Sequence, residues 1–189
     1  IRALVEYARC RGVQLMPEID VPGHCKSFQS EYGEVFGTKG VICQHETSIA
    51  AMKALFAELC DMFPYSKYIH IGGDEAHSKD EWTKCPACLA YARKVGIDTD
   101  MEDKEMLAQQ MYAHFITEMA QTCFDKGRQP IVWEGFSKAV NDRVSKKIWV
   151  MSWENYYQIT PDLLAAGFRI INCPWSPMYV VAPKCMWSP

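Results

Sequence analysis

The sequence repeats one pattern three times: an amphipathic stretch, then a glycine, then a short apolar run. In chain order the three apolar runs are Val13–Ile19, Pro130–Trp133 and Phe168–Cys173, preceded by Gly12, by Gly127 and by Gly167. Glycine suits the left-handed position just past the end of a helix. Apolar runs that lack polar alternation are typical of strands buried on both faces. The pattern therefore predicts helices that alternate with buried, parallel strands.

Four further segments extend the same alternation. Lys67–Gly72 and Lys147–Ser152 are short apolar runs that predict two more strands. Ser48–Phe63 and Lys104–Lys126 carry apolar residues at close to helical spacing, which predicts two amphipathic helices. Strands that alternate with helices along a chain are the signature of βαβ units. The fold class predicted for the chain is α/β.

Polar and aromatic residues follow the carboxyl ends of all the predicted strands, which favours a (β/α)8 TIM barrel over a doubly wound sheet. A doubly wound sheet would gather its site at one switch point. The prediction for residues 1–189 is a single portion of a catalytic barrel. It is expected to be incomplete, because five strands are visible and a closed barrel needs eight. The missing strands are expected before residue 1 and after residue 189.

The charge of the chain narrows its possible partners. The formal net charge is −3, from 20 basic and 23 acidic side chains. This balance gives no polyanion-binding footprint, so nucleic acid is not predicted as a partner. No apolar run approaches the roughly 18 residues that a membrane span needs. The sequence gives no indication of an oligomeric state.

The nine cysteines do not form an evident disulfide framework, since their number is odd and their positions are scattered. The one tight spacing is Cys85-Pro86-Ala87-Cys88. A zinc site there would need two more ligands, for which His77 and Cys43 are candidates. The alternative is a plain turn at the start of a helix.

Adjacent carboxylates after a predicted strand are the sharpest chemical feature. Asp74 and Glu75 would point in different directions from extended backbone, so they need not have the same role. Glycosidic cleavage needs such a division, with one acid for the leaving group and another group that acts at the anomeric carbon. An acidic pair that binds metal or caps a helix remains the alternative at this point.

Aromatic residues near the strand ends favour a sugar ligand over a metal ion or a helix cap. Trp133, Trp153, Trp175 and Tyr179 lie at or just after predicted strand ends, where flat rings could match the apolar faces of a sugar. Asp20 and His24 follow the first strand and could hydrogen-bond each other beside an acid. A purely structural histidine is the alternative for His24, and also for His70.

Five segments together resemble glycoside hydrolase family 20, the β-N-acetylhexosaminidases. They are PEIDVPGH (17–24), HIGGDEAH (70–77), VWEGF (132–136), WVMSWEN (149–155) and INCPWSPMYVV (171–181), in the family's order. The resemblance spans nearly the whole chain and places it at about strands 3 to 7 of the family's barrel. It implies an exo-acting hydrolase for terminal β-linked GlcNAc or GalNAc on an oligosaccharide or glycoconjugate.

The resemblance also implies a division of roles. Glu75 would be the general acid and then the base, while Asp74 would orient the 2-acetamido group, whose oxygen is the nucleophile. Asp20 and His24 would form a supporting relay, and Trp133, Trp153 and Tyr179 would bind the sugar. No cofactor and no catalytic metal is implied. Secretion, the periplasm or the lysosome are the expected locations.

Two alternatives to a complete hydrolase stay open. The first is a truncated carbohydrate-binding fragment with weak or no catalysis, since the family's first-strand arginine and last strand have no counterpart here. The second is a metal-dependent hydrolase that uses Asp74, Glu75, His70 and His77.

One position departs from the pattern of the family that the chain resembles. Many members of that family carry an acidic residue where this chain has Val181, which predicts a different recognition of sugar hydroxyls.

Overall fold

The computed structural model describes residues 1–180 as a four-stranded parallel sheet covered by helices. The strands are β1 (Tyr68–His70), β2 (Gln129–Trp133), β3 (Trp149–Ser152) and β4 (Arg169–Asn172), and they lie side by side in that order. All three strand pairs are parallel. Neighbouring strands are joined by helical segments, as the alternation in the sequence predicts. The arrangement is a portion of a (β/α)8 barrel, which confirms the predicted fold class.

Eight α-helices accompany the sheet in residues 1–180, and the two longest coincide with the predicted helices Ser48–Phe63 and Lys104–Lys126. They are α1 (Arg2–Arg9), α2 (Lys26–Glu31), α3 (Gly33–Phe36), α4 (Glu46–Met62), α5 (Pro86–Lys94), α6 (Lys104–Asp125), α7 (Thr160–Ala165) and α8 (Trp175–Met178). Two 3-10 helices cover Lys79–Lys84 and Lys138–Arg143. None of the helices in residues 1–180 is both long and apolar enough to cross a membrane.

Side-chain caps explain where the two longest helices begin. Asp103 precedes α6, and its carboxylate accepts a hydrogen bond of 2.9 Å from the N–H of Met106. His45 precedes α4, and its Nδ1 accepts one of 3.2 Å from the N–H of Ser48. Each cap satisfies one of the N–H groups that the first turn of a helix leaves without a partner.

The core lies between the sheet and its two longest helices. α6 packs against both β2 and α4. Met111 and Phe115 on α6 and Phe56 on α4 are completely buried. Buried large side chains of this kind contribute about 1.5–3 kcal/mol each to folding. This packing fixes the direction of β1 and β2, whose carboxyl ends carry the polar residues of interest.

One predicted strand was wrong. Val13–Ile19 makes a single parallel bridge, between Glu18 and His70, and is otherwise irregular. Val13 instead donates its N–H to Ala8 at the end of α1, and Pro17 has no N–H to donate. Val13 and Met16 are about half exposed, so this run is not buried on both faces. Beyond the bridge the chain still follows β1, since Val21 N–H donates to Ile71 O at 3.1 Å.

Two glycines hold the ends of β1 and β2 in direct contact. A Cβ on Gly135 would lie 1.9 Å from the carbonyl oxygen of Gly73, so no larger residue fits there. The hydroxyl of the completely buried Tyr112, on α6, donates a short hydrogen bond to the same carbonyl. The residues that follow Gly73 are therefore set against a rigid wall of β2 and α6.

Candidate active site

The carboxyl ends of the strands bring the predicted acidic residues together. Asp74 and Glu75 follow β1, and the turn that carries His24 packs beneath them, because Gly23 lies against the backbone of Asp74 and Glu75. His24 Nε2 lies 3.2 Å from Glu75 Oε2, 3.5 Å from Asp74 Oδ2 and 3.8 Å from Asp20 Oδ2. The imidazole therefore sits among three carboxylates, and it contacts both members of the acidic pair.

The backbone at this site is unusual. His24, Glu75 and Asn155 have φ angles of 41°, 46° and 59°, in the left-handed region that favours glycine. They are the non-glycine residues with positive φ in residues 1–180, and all three lie where the chain leaves the sheet or the turn beside it. A left-handed residue turns the chain sharply, so its side chain points in a direction that extended backbone would not give it.

Asp74 has one oxygen that is buried without a partner. Within residues 1–180, its Oδ1 accepts no hydrogen bond, although the atom is shielded from solvent. A buried acceptor that is left unsatisfied costs about 1–3 kcal/mol. Oδ2 of the same group faces His24. Within the described residues Asp74 is therefore held through Oδ2 alone, and 16% of its side chain stays exposed.

Asp20 is held next to Asp74 and accepts a hydrogen bond of 3.1 Å from the N–H of Gly73. Burial, and then the charge of Asp74, raise the pKa of Asp20 to about 7. Two carboxyl groups so close together share a proton more readily than they both ionise.

The raised pKa of Asp20 predicts a loss of stability with rising pH. In the unfolded chain Asp20 ionises near its ordinary value of 3.8, but in the folded protein it keeps its proton to about pH 7. Folding thus takes up a proton in this window, so the free energy of unfolding falls as pH rises from about 4 to 7. Asp20→Asn should flatten that slope, measured by urea unfolding at several pH values. Parallel curves for the two proteins would contradict the shift.

Glu134 is a further residue of the site, to which the sequence analysis gave no role, and it lies directly after the end of β2. It is 1% exposed, and its carboxylate accepts hydrogen bonds from the N–H groups of Trp153 (2.6 Å), Glu154 (3.1 Å) and Asn155 (2.5 Å). Burial raises its pKa, and hydrogen bonds from the backbone N–H groups of Trp153 and Asn155 act against that rise. The carboxylate fixes the loop after β3. Its position directly after Trp133, before a glycine, was the only signal in the sequence.

Removal of this carboxylate should destabilise the fold. Glu134→Ala would leave three backbone N–H groups without their acceptor in a buried place, at a cost of about 2–3 kcal/mol. Urea unfolding measures this loss, with Glu102→Ala as an exposed control that should change little. Glu134→Gln keeps one carbonyl oxygen and should fall between the two. An alanine variant as stable as the parent would show that water replaces the carboxylate.

An aromatic wall borders the carboxylates. The rings of Trp133 and Trp153 lie 5.8 Å apart, and Tyr179 stacks on Trp153 at 6.2 Å with an interplanar angle of 20°. Trp175 meets Tyr179 edge to face at 6.0 Å. Trp133 is oriented by a hydrogen bond of 3.0 Å from its Nε1–H to Glu18. The three residues predicted to bind the sugar therefore form one continuous surface. Val181, for which the sequence predicts a different recognition of sugar hydroxyls, lies outside the described residues.

The residues of the metal hypothesis are not gathered in one place. His70 is buried in β1, where its Nδ1 accepts a hydrogen bond from Gly72 N–H and lies 3.1 Å from Glu18. His77 is exposed. In residues 1–180 neither histidine shares a group of three ligand atoms with the acidic pair, whereas Asp20, His24 and Asp74 do lie within 4.8 Å of one another. His70 thus takes the structural role that the sequence analysis gave as its alternative.

The chain is similar to known proteins over nearly its whole length. The model of the glycosyl hydrolase family 20 catalytic domain matches residues 1–188. The chain is similar to beta-hexosaminidase subunit beta of Mus musculus (27% identity, 93% of this chain, 33% of that protein). It is also similar to a beta-hexosaminidase of Akkermansia muciniphila (32% identity, 70% of this chain, 28% of that protein).

Solved structures show the same fold. The beta-N-acetylhexosaminidase of Bacteroides fragilis superimposes with a TM-score of 0.76 at 22% identity, over 99% of this chain and 38% of that one. An exo beta-N-acetylglucosaminidase from Vibrio harveyi, solved with N-acetylglucosamine, gives a TM-score of 0.66 at 26% identity, over 89% of this chain and 27% of that one. The chain spans about a third of the length of the curated relatives it matches.

Proposed function

Since the chain belongs to glycosyl hydrolase family 20, we propose that it cleaves terminal β-linked N-acetylhexosamine from glycans, and that the acetamido group of the substrate acts as the nucleophile. The observation that carries this proposal is the cluster in which Glu75, Asp74 and Asp20 lie within 3.8 Å of His24 Nε2. The Asp74 side chain is 16% exposed, and its carboxylate is an acceptor of the kind that the N–H of a 2-acetamido group needs. A plain hexose would offer a hydroxyl in that place and no internal nucleophile.

In the first step, Glu75 gives its proton to the glycosidic oxygen as the bond to the anomeric carbon breaks. The acetamido carbonyl oxygen attacks the same carbon and closes a five-membered oxazolinium ring. Asp74 accepts the acetamido N–H and stabilises the positive charge that spreads onto that nitrogen. Because the nucleophile is already part of the bound substrate, its attack is intramolecular and costs little entropy.

In the second step, the carboxylate of Glu75 takes a proton from water, and the water oxygen adds to the anomeric carbon. The ring opens, the acetamido group is restored and the configuration is retained after two inversions. Glu134 is a poor candidate for a protein nucleophile, since its oxygens already accept three backbone N–H groups. The proposal gives the role of nucleophile to the substrate.

The surrounding residues have supporting roles in this proposal. His24, 3.2 Å from Glu75, positions the acid, and Asp20 holds the Gly73–Asp74 backbone through its hydrogen bond to Gly73. Trp133 and Trp153 supply flat surfaces for the sugar ring and the acetamido methyl group. Tyr179, which stacks on Trp153, directs its hydroxyl to the acetamido oxygen.

Hydrolysis of 4-nitrophenyl N-acetyl-β-glucosaminide tests the proposal, with the matching β-glucoside as the control substrate. Release of nitrophenol from the acetamido substrate alone supports participation of the acetamido group. Equal rates for both would contradict it. Carbohydrate binding without catalysis, for which the aromatic surface of Trp133, Trp153 and Tyr179 would suffice, makes a different prediction. It predicts saturable binding of N-acetylglucosamine, measured by quenching of tryptophan fluorescence, with no release from either substrate.

A further inference from the structure

Three cysteine thiols meet outside the carboxylate site. Cys43 Sγ lies 3.2 Å from Cys88 Sγ and 4.0 Å from Cys85 Sγ, and all three sulfur atoms are within 4.8 Å of one another. Cys85 and Cys88 belong to the start of α5, whereas Cys43 lies 42 positions before Cys85, in the segment that leads into α4. The cluster thus joins two parts of the chain that are distant in sequence.

We propose that Cys43, Cys85 and Cys88 bind a thiophilic divalent metal ion, zinc by preference, in a structural site. Sulfur ligands about 2.3 Å from a tetrahedral zinc ion are about 3.8 Å apart, which lies between the observed spacings of 3.2 and 4.0 Å. A disulfide would need two sulfur atoms at about 2.05 Å and would leave the third thiol unused. The convergence of three sulfur atoms on one point is what a metal site requires.

Hydrogen-bond donors and a helix start lie beside the sulfur atoms. The N–H of Gln44 donates to Cys88 Sγ at 3.2 Å. Cys85 occupies the N-cap position of α5 without a side-chain capping hydrogen bond, and Pro86 lies in the first turn, so the positive end of the helix lies beside the sulfur atoms. A cavity of about 180 Å³ adjoins the three cysteines and reaches Glu81 and Lys39. It leaves room for a fourth ligand, a water molecule or a carboxylate, and gives an ion a way in.

A metal ion here would strengthen the support beneath His24. Ile42, next to Cys43, donates its N–H to Pro22 O at 2.9 Å. Its own carbonyl accepts a hydrogen bond of 2.9 Å from the Nε1–H of the buried Trp82. The ion would fasten this segment to α5 and so hold the Pro22–His24 turn against β1. It would act on stability, and it would have no part in the reaction.

Titration of the reduced, metal-free full chain with Co²⁺ tests the site. Thiolate ligands give an intense sulfur-to-cobalt charge-transfer band, which the oxygen and nitrogen atoms of Asp20, His24 and Asp74 cannot produce. We expect the band to saturate at about one ion per chain and to disappear when Zn²⁺ is added. Zinc should also raise the melting temperature of the chain. The absence of a charge-transfer band would overturn the proposal.

Cys85→Ser separates the metal site from a disulfide, and Cys10→Ser on the exposed end of α1 is the matched control. A Cys43–Cys88 disulfide does not involve Cys85, so its formation would survive that change. The metal proposal predicts that Cys85→Ser loses at least about tenfold in Zn²⁺ affinity, whereas Cys10→Ser binds as the parent does. Equal affinity in the Cys85→Ser variant would overturn the proposal. So would a parent chain that, purified without reductant, lacks two titratable thiols and takes up no zinc.

Discussion

Glu75→Gln is expected to lower kcat/KM for a chitobiose-type disaccharide by about 10³-fold or more, while the fold survives. Glutamine matches the size of glutamate and can keep a contact with His24, but it can neither donate an acidic proton nor accept one from water. Both steps of the proposed reaction lose their proton carrier. The melting temperature should stay close to that of the parent, because Glu75 is partly exposed at the rim of the sheet.

The leaving group makes this test specific. Nitrophenolate departs without much help from an acid, so the loss on the 4-nitrophenyl substrate should be clearly smaller than the loss on the disaccharide. Glu102→Gln, at an exposed position, controls for a general effect of a removed charge. Equal losses on both substrates would argue against an acid role for Glu75. Unchanged turnover of the disaccharide would remove the assignment altogether.

Asp74→Asn is expected to lower kcat by about 10²–10³-fold with a smaller change in KM. Asparagine preserves the shape of the side chain but not its negative charge, which in the proposed reaction is needed most when the acetamido nitrogen becomes positive. The binding of neutral N-acetylglucosamine should suffer less, since the ground state carries no such charge. Asp100→Asn, where the side chain is 89% exposed, is the matched control.

A thiazoline analogue of the cyclic intermediate adds an equilibrium measurement. The parent should bind this analogue far more tightly than the free sugar, and Asp74→Asn should lose most of the difference. If the variant binds the analogue and the sugar with the parent's affinities, Asp74 has no part in stabilising the intermediate. A kcat loss that is matched by a large fall in melting temperature would instead indicate a structural role.

Much of the fold could be predicted because local and global signals agree. The three glycines that follow amphipathic stretches all have positive φ, at 70°, 69° and 88° for Gly12, Gly127 and Gly167. The helices predicted at Ser48–Phe63 and Lys104–Lys126 are found at Glu46–Met62 and Lys104–Asp125. Val13–Ile19 failed because an apolar run shows neither whether both faces are covered nor which N–H groups find partners in the sheet.

The sequence predicted which residues would lie together in the candidate site, but it did not predict the contacts between them. The position of Asp74 and Glu75 after a strand placed them at the correct edge of the sheet, and the wall of Trp133, Trp153 and Tyr179 followed from the same rule. The buried, unpaired oxygen of Asp74 depends on how several segments pack, so no spacing in the sequence reveals it. The three hydrogen bonds of Glu134 and the convergence of Cys43 on the start of α5 depend on packing in the same way.

The left-handed backbone conformations of His24 and Glu75 destabilise the folded state, but they belong to residues of the candidate active site. Each such residue lowers the free energy of unfolding by about 1–3 kcal/mol, which other interactions in the molecule must offset. Replacement of either residue by glycine would remove most of this loss. If variants were selected for thermal stability alone, we would expect substitutions at these two positions among the first, and the resulting proteins would be more stable but inactive. A thermostabilising programme for this chain should keep both residues fixed and seek its gains in the exposed faces of α1, α5 and α7.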